Sequence, residues 1–258
     1  MIGWQNESLF STANLLQMLS LLLDLCYNNH SLASSQWKGG AVLLSSLAFL
    51  VALIIGVTVH ECAHAWMANQ LGDPTARLMG RISLNPVVHF DPLGALMMVI
   101  MAFQRIGIAW GKPTPVNPYH LRHGPRVGMG MVSLAGPLSN LFLATVVAVP
   151  LRLGLPLPGL LDLLVWTVVI ANIGLAVFNL LPIPPLDGFS VLMGILSIIR
   201  ARWADEWSST LARLESQGMM VLFFVLMFDI VIGRLLGFSL LGLIMGPPMR
   251  LLIRLIVG

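Results

Sequence analysis

Residues 41–68 read AVLLSSLAFLVALIIGVTVHECAHAWMA, and this stretch decides the fold class. It exceeds the roughly 20 apolar residues that a helix needs to cross the hydrocarbon core. Apart from His60 and His64, Glu61 is its only acidic or basic residue. Gly72-Asp73-Pro74 follows as a helix stop. Residues four apart on a helix share one face, about 6 Å apart along the axis, so the imidazoles of His60 and His64 can reach one ion. Glu61 borders that face. A pair of buried histidines bonded to neighbouring helices is the bland alternative, but it leaves an ionisable glutamate at bilayer depth unexplained, and such a group is costly there.

Two imidazoles, a carboxylate and an open position suit zinc, which lowers the pKa of water it holds to roughly 7 and leaves a nearby glutamate to accept the proton. That is the chemistry of peptide hydrolysis.

The chain has 258 residues, 57% hydrophobic and 10% charged, which is the composition of a multi-pass membrane protein. The net charge of +3 resides in short loops and is read as topogenic, so nucleic-acid binding is not indicated. The apolar run Leu15 to Tyr27 has no Lys or Arg before it and carries Asp24; it is expected to stay attached as an interfacial or partly inserted helix within residues 1–40. Cys26 and Cys62 form no CxxC pair. Cys62 lies two residues from each histidine, on another helical face, and is read as a packing residue.

After the first span, residues 77–92 mix polar and β-favouring types, and 93–109 are apolar but short. A small re-entrant β/hairpin region is therefore expected after the metal-binding helix. Further spans are expected over 127–151, 160–181 and 219–236, with a short apolar helix over 186–199 and an amphipathic one over 200–217. The tail 238–257 carries Pro247, Pro248, Arg250 and Arg254 and is compatible with crossing or with lying in the interface. The expected fold is thus mostly α and polytopic, with about six membrane segments: a catalytic core over 41–199 and C-terminal helices over 200–258. Arg77, Arg81, Arg105, Lys112, Arg122, Arg126, Arg200 and Arg202 flank the motif and the proline break, so those loops are expected on the cytoplasmic side.

A third ligand must come from another segment. Asp24, Asp162, Asp187 and Asp229 lie within or beside apolar runs. Asp187 stands out because it follows the break Pro182-Ile183-Pro184-Pro185-Leu186, and a broken helix can aim a side chain into a polar cavity. Asp229 is the alternative.

HExxH in one membrane helix and Asn179-Leu-Leu-Pro182-Ile-Pro184-Pro185-Leu186-Asp187-Gly188 in a later one resemble the signature of the site-2 protease family of intramembrane zinc metalloproteases. The likeness extends through Gly72 to Arg77, Asn85 to Pro92, Pro115-Val116-Asn117 and Ala135-Gly136-Pro137-Leu138-Ser139-Asn140, as in its compact prokaryotic branch. No PDZ domain fits between the two motifs. The resemblance implies Zn2+ held by His60, His64 and Asp187, Glu61 as general base, and Asn179 steadying the scissile carbonyl or its oxyanion. Asn140, His89 and Asn117 match family positions and are candidate substrate contacts, against turn and interhelical roles.

The expected function is hydrolysis of a peptide bond within or beside a substrate's transmembrane helix. The partner would be a single-span membrane protein or a leftover signal peptide in the bilayer of a bacterial or archaeal cell, reached from the cytoplasmic side. The substrate must unwind, and it is expected to pair with an extended edge between Arg77 and Asn117. Two rivals differ in class. A membrane chaperone or regulator that cuts nothing fits poorly with an intact Glu61, and a metal transporter would show several spaced ligand clusters. The Gly107/Gly111 and Gly233/Gly237 spacings carry no oligomeric claim.

Overall fold

The computed structural model describes residues 38–104, 110–199 and 201–258. The expected Leu15 to Tyr27 helix, Arg105 and Arg200 lie outside them. The helices are α1 (Lys38–Gln70), α2 (Thr75–Leu78), α3 (Pro92–Gln104), α4 (Pro125–Val147), α5 (Val149–Arg152), α6 (Gly159–Asn179), α7 (Asp187–Ile198), α8 (Arg202–Glu215), α9 (Gly218–Leu236) and α10 (Leu240–Val257), with 3-10 turns at Pro86–His89 and Pro118–His120. Five of them, α1, α4, α6, α9 and α10, are long and apolar enough to cross a membrane. The chain is a mostly α, polytopic membrane protein. The tail forms one continuous helix that runs through Pro247 and Pro248.

Among the described residues there is no strand, so the β/hairpin detail is not confirmed. The capping chemistry explains why. Asn85 accepts from the Val87 N–H, and Asp91 accepts from the N–H groups of Leu93 and Gly94, both at 3.0 Å, so each Asn/Asp-Pro pair opens a helical turn instead of a strand. With 13 residues, α3 is too short to span.

Helix α4 is the hub. It packs on α7, α1 and α6, and Gly130 of α4 meets Gly194 of α7 with no side chain between the backbones. One core forms where α4, α6, α9 and α10 meet, around Ile173, Leu222 and Met245; a second lies between α1, α3 and α6, around Phe49, Leu53 and Met98. The outer faces expose Phe223, Phe224 and Phe228 on α9, and Trp203 and Trp207 on α8, as lipid and its interface favour. Helix α8 turns Ala204 and Ser208 inward, as its amphipathic pattern predicts.

Below the end of α1, fully buried Asp73 joins two loops. Its carboxylate accepts from the Thr75 N–H at 3.1 Å, from the Thr75 hydroxyl, from the Asn117 N–H at 2.7 Å and from His120 Nδ1 at 3.3 Å. Burial alone would push this carboxyl up, but the bonds from Thr75, Asn117 and His120 outweigh it and hold the group below the ordinary value of 3.8. Asp73→Ala should therefore destabilise the fold by about 2 kcal/mol. The folded carboxyl binds its proton less readily than the unfolded one. Its contribution is then fully present above pH 3.8 and is lost as pH falls through the lower folded value. Thermal melts in detergent should show the gap between wild type and variant at neutral pH and a narrowed gap in acid; an unchanged gap would remove Asp73 from this role.

Candidate metal centre

His60 and His64 project from the last third of α1, and Asp187 opens α7, so the site forms where two separate sequence motifs meet. The proline-rich break after α6 makes that meeting possible, because it ends one helix at Asn179 and lets the next begin eight residues later with Asp187 in its first turn, where the helix dipole favours a carboxylate. The chain turns so tightly there that a Cβ on Gly188 would sit 2.2 Å from the Leu180 carbonyl oxygen. Only glycine fits beside Asp187.

The three side chains converge. Asp187 Oδ2 lies 3.0 Å from His60 Nε2 and 3.4 Å from His64 Nε2, and one ligand atom from each residue lies within 4.8 Å of the others. Around a tetrahedral ion with bonds near 2.1 Å, neighbouring ligand atoms stand about 3.4 Å apart.

The hydrogen bonds behind these atoms fix their protons. The Val168 carbonyl can only accept, so the amide nitrogen of Asn172 faces it at 2.8 Å, and Asn172 Oδ1 then accepts from Asn140 Nδ2 at 2.8 Å. Asn140 Nδ2 also donates to the Gly56 carbonyl at 3.0 Å, which turns Asn140 Oδ1 toward His60 Nδ1 at 2.7 Å. His60 must therefore carry its proton on Nδ1 and present a lone pair on Nε2. His64 Nδ1 faces the Val132 carbonyl at 2.8 Å, with the same result. Three acceptors thus point at one spot, and Asp187 Oδ2 is buried without a hydrogen-bond donor. One proton could join one pair; a metal cation satisfies all three. The spot is also kept open, because a Cβ on Gly136 of α4 would stand 2.4 Å from His64 Nε2 and 2.6 Å from His60 Cε1. The residues fit a metal ion.

Glu61, one residue along α1 from His60, has its own partner. The Thr114 N–H donates to Glu61 Oε2 at 3.0 Å. Sequence reading missed Thr114, although it adjoins Pro115-Val116-Asn117, and it missed Asn172, which carries no motif and shows only as one amide in an apolar helix.

The three candidate substrate contacts each have partners within the chain. Asn140 is fully buried, and its amide serves His60, Gly56 and Asn172, a position from which it orients the His60 imidazole. His89 is fully buried with Nε2 at 2.7 Å from the Ser83 carbonyl. Asn117 caps the Pro118–His120 turn through the Tyr119 N–H at 3.1 Å. Asn179 donates to the Leu175 carbonyl of its own helix at 2.9 Å, which uses one of its two amide protons. The alternative ligand, Asp229, caps α10: it accepts from Ser239 Oγ at 2.7 Å and the Leu241 N–H at 3.0 Å. Cys62 is not part of the three-residue group. Arg81, counted among the loop charges, is buried and reaches the Lys112 carbonyl at 3.3 Å, tying two loops together.

The edge expected to receive a substrate strand is partly closed. The Lys112 N–H donates to the His89 carbonyl at 2.7 Å, those of Thr114 and Asn117 are taken by Glu61 and Asp73, and Pro113 and Pro115 have none. A strand docking along 112–115 meets carbonyl acceptors only.

Comparison with known proteins agrees with this geometry. The profile of Peptidase family M50 matches residues 155–226. The Bacillus subtilis (strain 168) protein named "Putative zinc metalloprotease YwhC" is 39% identical over 158 residues, covering 58% of this chain and 69% of that protein. "Putative zinc metalloprotease Rip2" of Mycobacterium tuberculosis (strain H37Rv) is 32% identical over 142 residues, 54% of this chain and 53% of that protein. Its Mycolicibacterium smegmatis namesake is 29% identical over 145 residues, with the same coverage. The chain therefore spans about half the length of these two Rip2 relatives. No solved structure matches it. A His-His-Asp group assembled from HExxH and LDG elements, with both imidazoles buried, in a bundle of membrane-length helices, and the extent of likeness to YwhC lead to one conclusion: this chain belongs to the site-2 proteases, Peptidase family M50.

Proposed function

We propose that this chain is a zinc-dependent endopeptidase that cuts a peptide bond within or beside a substrate's transmembrane helix. The observation that carries the reading is the meeting of three lone pairs, from His60 Nε2, His64 Nε2 and Asp187 Oδ2, at a spot that Gly136 keeps clear, with the Glu61 carboxylate on the adjoining residue. Those three residues would hold the ion. When bound, zinc supplies a Lewis acid that makes water acidic near pH 7 and polarises a carbonyl.

The remaining work falls to the protein. Asn140 and the Val132 carbonyl hold the two imidazoles in one tautomer, so no proton competes for the inner nitrogens. Glu61 accepts a proton from the attacking water and delivers it to the amide nitrogen as the C–N bond breaks; the water oxygen stays on the carbonyl carbon. The second amide proton of Asn179 is the proposed donor to the developing oxyanion. The surrounding apolar helices exclude bulk water and strengthen each of these charge interactions.

A substrate helix conceals its carbonyls in its own hydrogen bonds and must unwind to react. The substrate is then a single-span membrane protein or a leftover signal peptide with helix-weakening residues near the cut. Arg77, Lys112, Arg122, Arg126 and Arg202 mark the loops next to the site as cytoplasmic by the positive-inside rule, which supports entry from that side.

Glu61→Gln should abolish cleavage of a co-reconstituted single-span substrate, by about 10²–10⁴-fold, while the protein keeps its zinc. His60→Ala, His64→Ala and Asp187→Ala should each lose the zinc as well. Normal turnover in Glu61→Gln would refute the base assignment, and full zinc in Asp187→Ala would refute the ligand set. Removing the support behind His60 has a milder effect: Asn140→Leu should weaken zinc affinity about 10–100-fold, measured by competition with a chelator. Gly136→Ala should lower zinc content in a folded protein, because the added methyl enters the space between the imidazoles. An unaltered zinc content there would show that the spot is not where the ion sits.

A further inference from the structure

We propose that Thr114 is a positioning residue for this reaction: it fastens one oxygen of the Glu61 carboxylate and leaves the other to carry the proton. The inference rests on Glu61 being the base. The Thr114 peptide N–H donates to Glu61 Oε2 at 3.0 Å, and the Thr114 hydroxyl lies 2.8 Å from the same oxygen. That hydroxyl is also 3.1 Å from the backbone carbonyl oxygen of Glu61, so its single proton is shared between the two ends of one residue. Side chain and main chain of Glu61 are thereby fixed relative to each other. Glu61 Oε1 takes no part in the clamp.

A glutamate on a helix has three rotatable bonds, and a base that must meet a water molecule at bonding distance gains from having them fixed beforehand. A clamp helps only if it is itself rigid, and the local sequence makes it so. Pro113 and Pro115 flank Thr114 and restrict the backbone on both sides. Lys112 is tied to the His89 carbonyl at 2.7 Å and to Arg81 at 3.3 Å, and Asn117 is tied to Asp73 at 2.7 Å. Thr114 thus stands in a braced loop brought to α1 from 53 residues away in sequence. Serine keeps the hydroxyl; valine keeps the shape and the N–H but removes it.

The test uses the full chain, zinc-loaded, in nanodiscs, with a quenched-fluorescent synthetic transmembrane peptide carrying a central Asn-Gly break as substrate. Thr114→Val should lower kcat about tenfold or more with KM and zinc content unchanged, and Thr114→Ser should recover most of that loss. An unchanged kcat in Thr114→Val, alongside an inactive Glu61→Gln, overturns the clamp and leaves the protease reading standing. Loss of zinc or of folding in both Thr114 variants makes the residue structural and also overturns it. Full turnover in Glu61→Gln removes the base, and the proposal falls with that reading. Amide hydrogen exchange needs no turnover: the Thr114 N–H should exchange more slowly in wild type than in Glu61→Ala, and equal rates overturn the proposal even if the peptide is never cut.

Discussion

The structure depends on three acceptor atoms aimed at one another inside an apolar bundle. Two imidazole nitrogens and a carboxylate oxygen at 3.0 and 3.4 Å cannot satisfy each other without a cation, and water is scarce at that depth. Each of the three is held there by something else. Asn140 and the Val132 carbonyl take the outer imidazole protons, and the proline break delivers Asp187 at a helix N-terminus. Helix α4 supplies both the supports and the empty space, since Val132, Gly136 and Asn140 fall at successive turns of one face. Three positions on one helix thus serve the proposed metal site without contributing a ligand.

This division of labour explains why the site was legible and its supports were not. HExxH announces itself through helical spacing, and Asp187 through the proline break before it, because both signals are local. The roles of Asn140 and Asn172 are not local: each amide is defined by partners on other helices, and an asparagine in an apolar run reads the same whether it meets substrate, caps a turn or steers a ring. Asn140 was accordingly expected at the substrate and is found behind His60. Thr114 was invisible for the same reason, since its partner lies 53 residues away.

The fold shows a similar boundary. Spans α1, α4, α6 and α9 follow from hydrophobic length alone, and the observed helices Pro125–Val147, Gly159–Asn179 and Gly218–Leu236 differ from the expected ranges only at their ends. The β/hairpin expected after α1 is not confirmed, because the β-favouring residues there compete with capping. Asn85-Pro86 and Asp91-Pro92 decide that region, and a side chain that caps a turn outweighs a weak strand preference. Asp229 makes the same point in reverse: an aspartate inside membrane helix α9 looks like a ligand until its bonds to Ser239 and Leu241 show its carboxylate holding the start of α10.

The central claim is that His60, His64 and Asp187 hold one zinc ion. X-ray absorption at the zinc edge of the purified chain tests it most directly. The account predicts two imidazole nitrogens and a carboxylate oxygen at about 2.0–2.2 Å, with no sulfur in the shell. A sulfur at about 2.3 Å would bring Cys62 into the site and contradict the assignment of ligands made here.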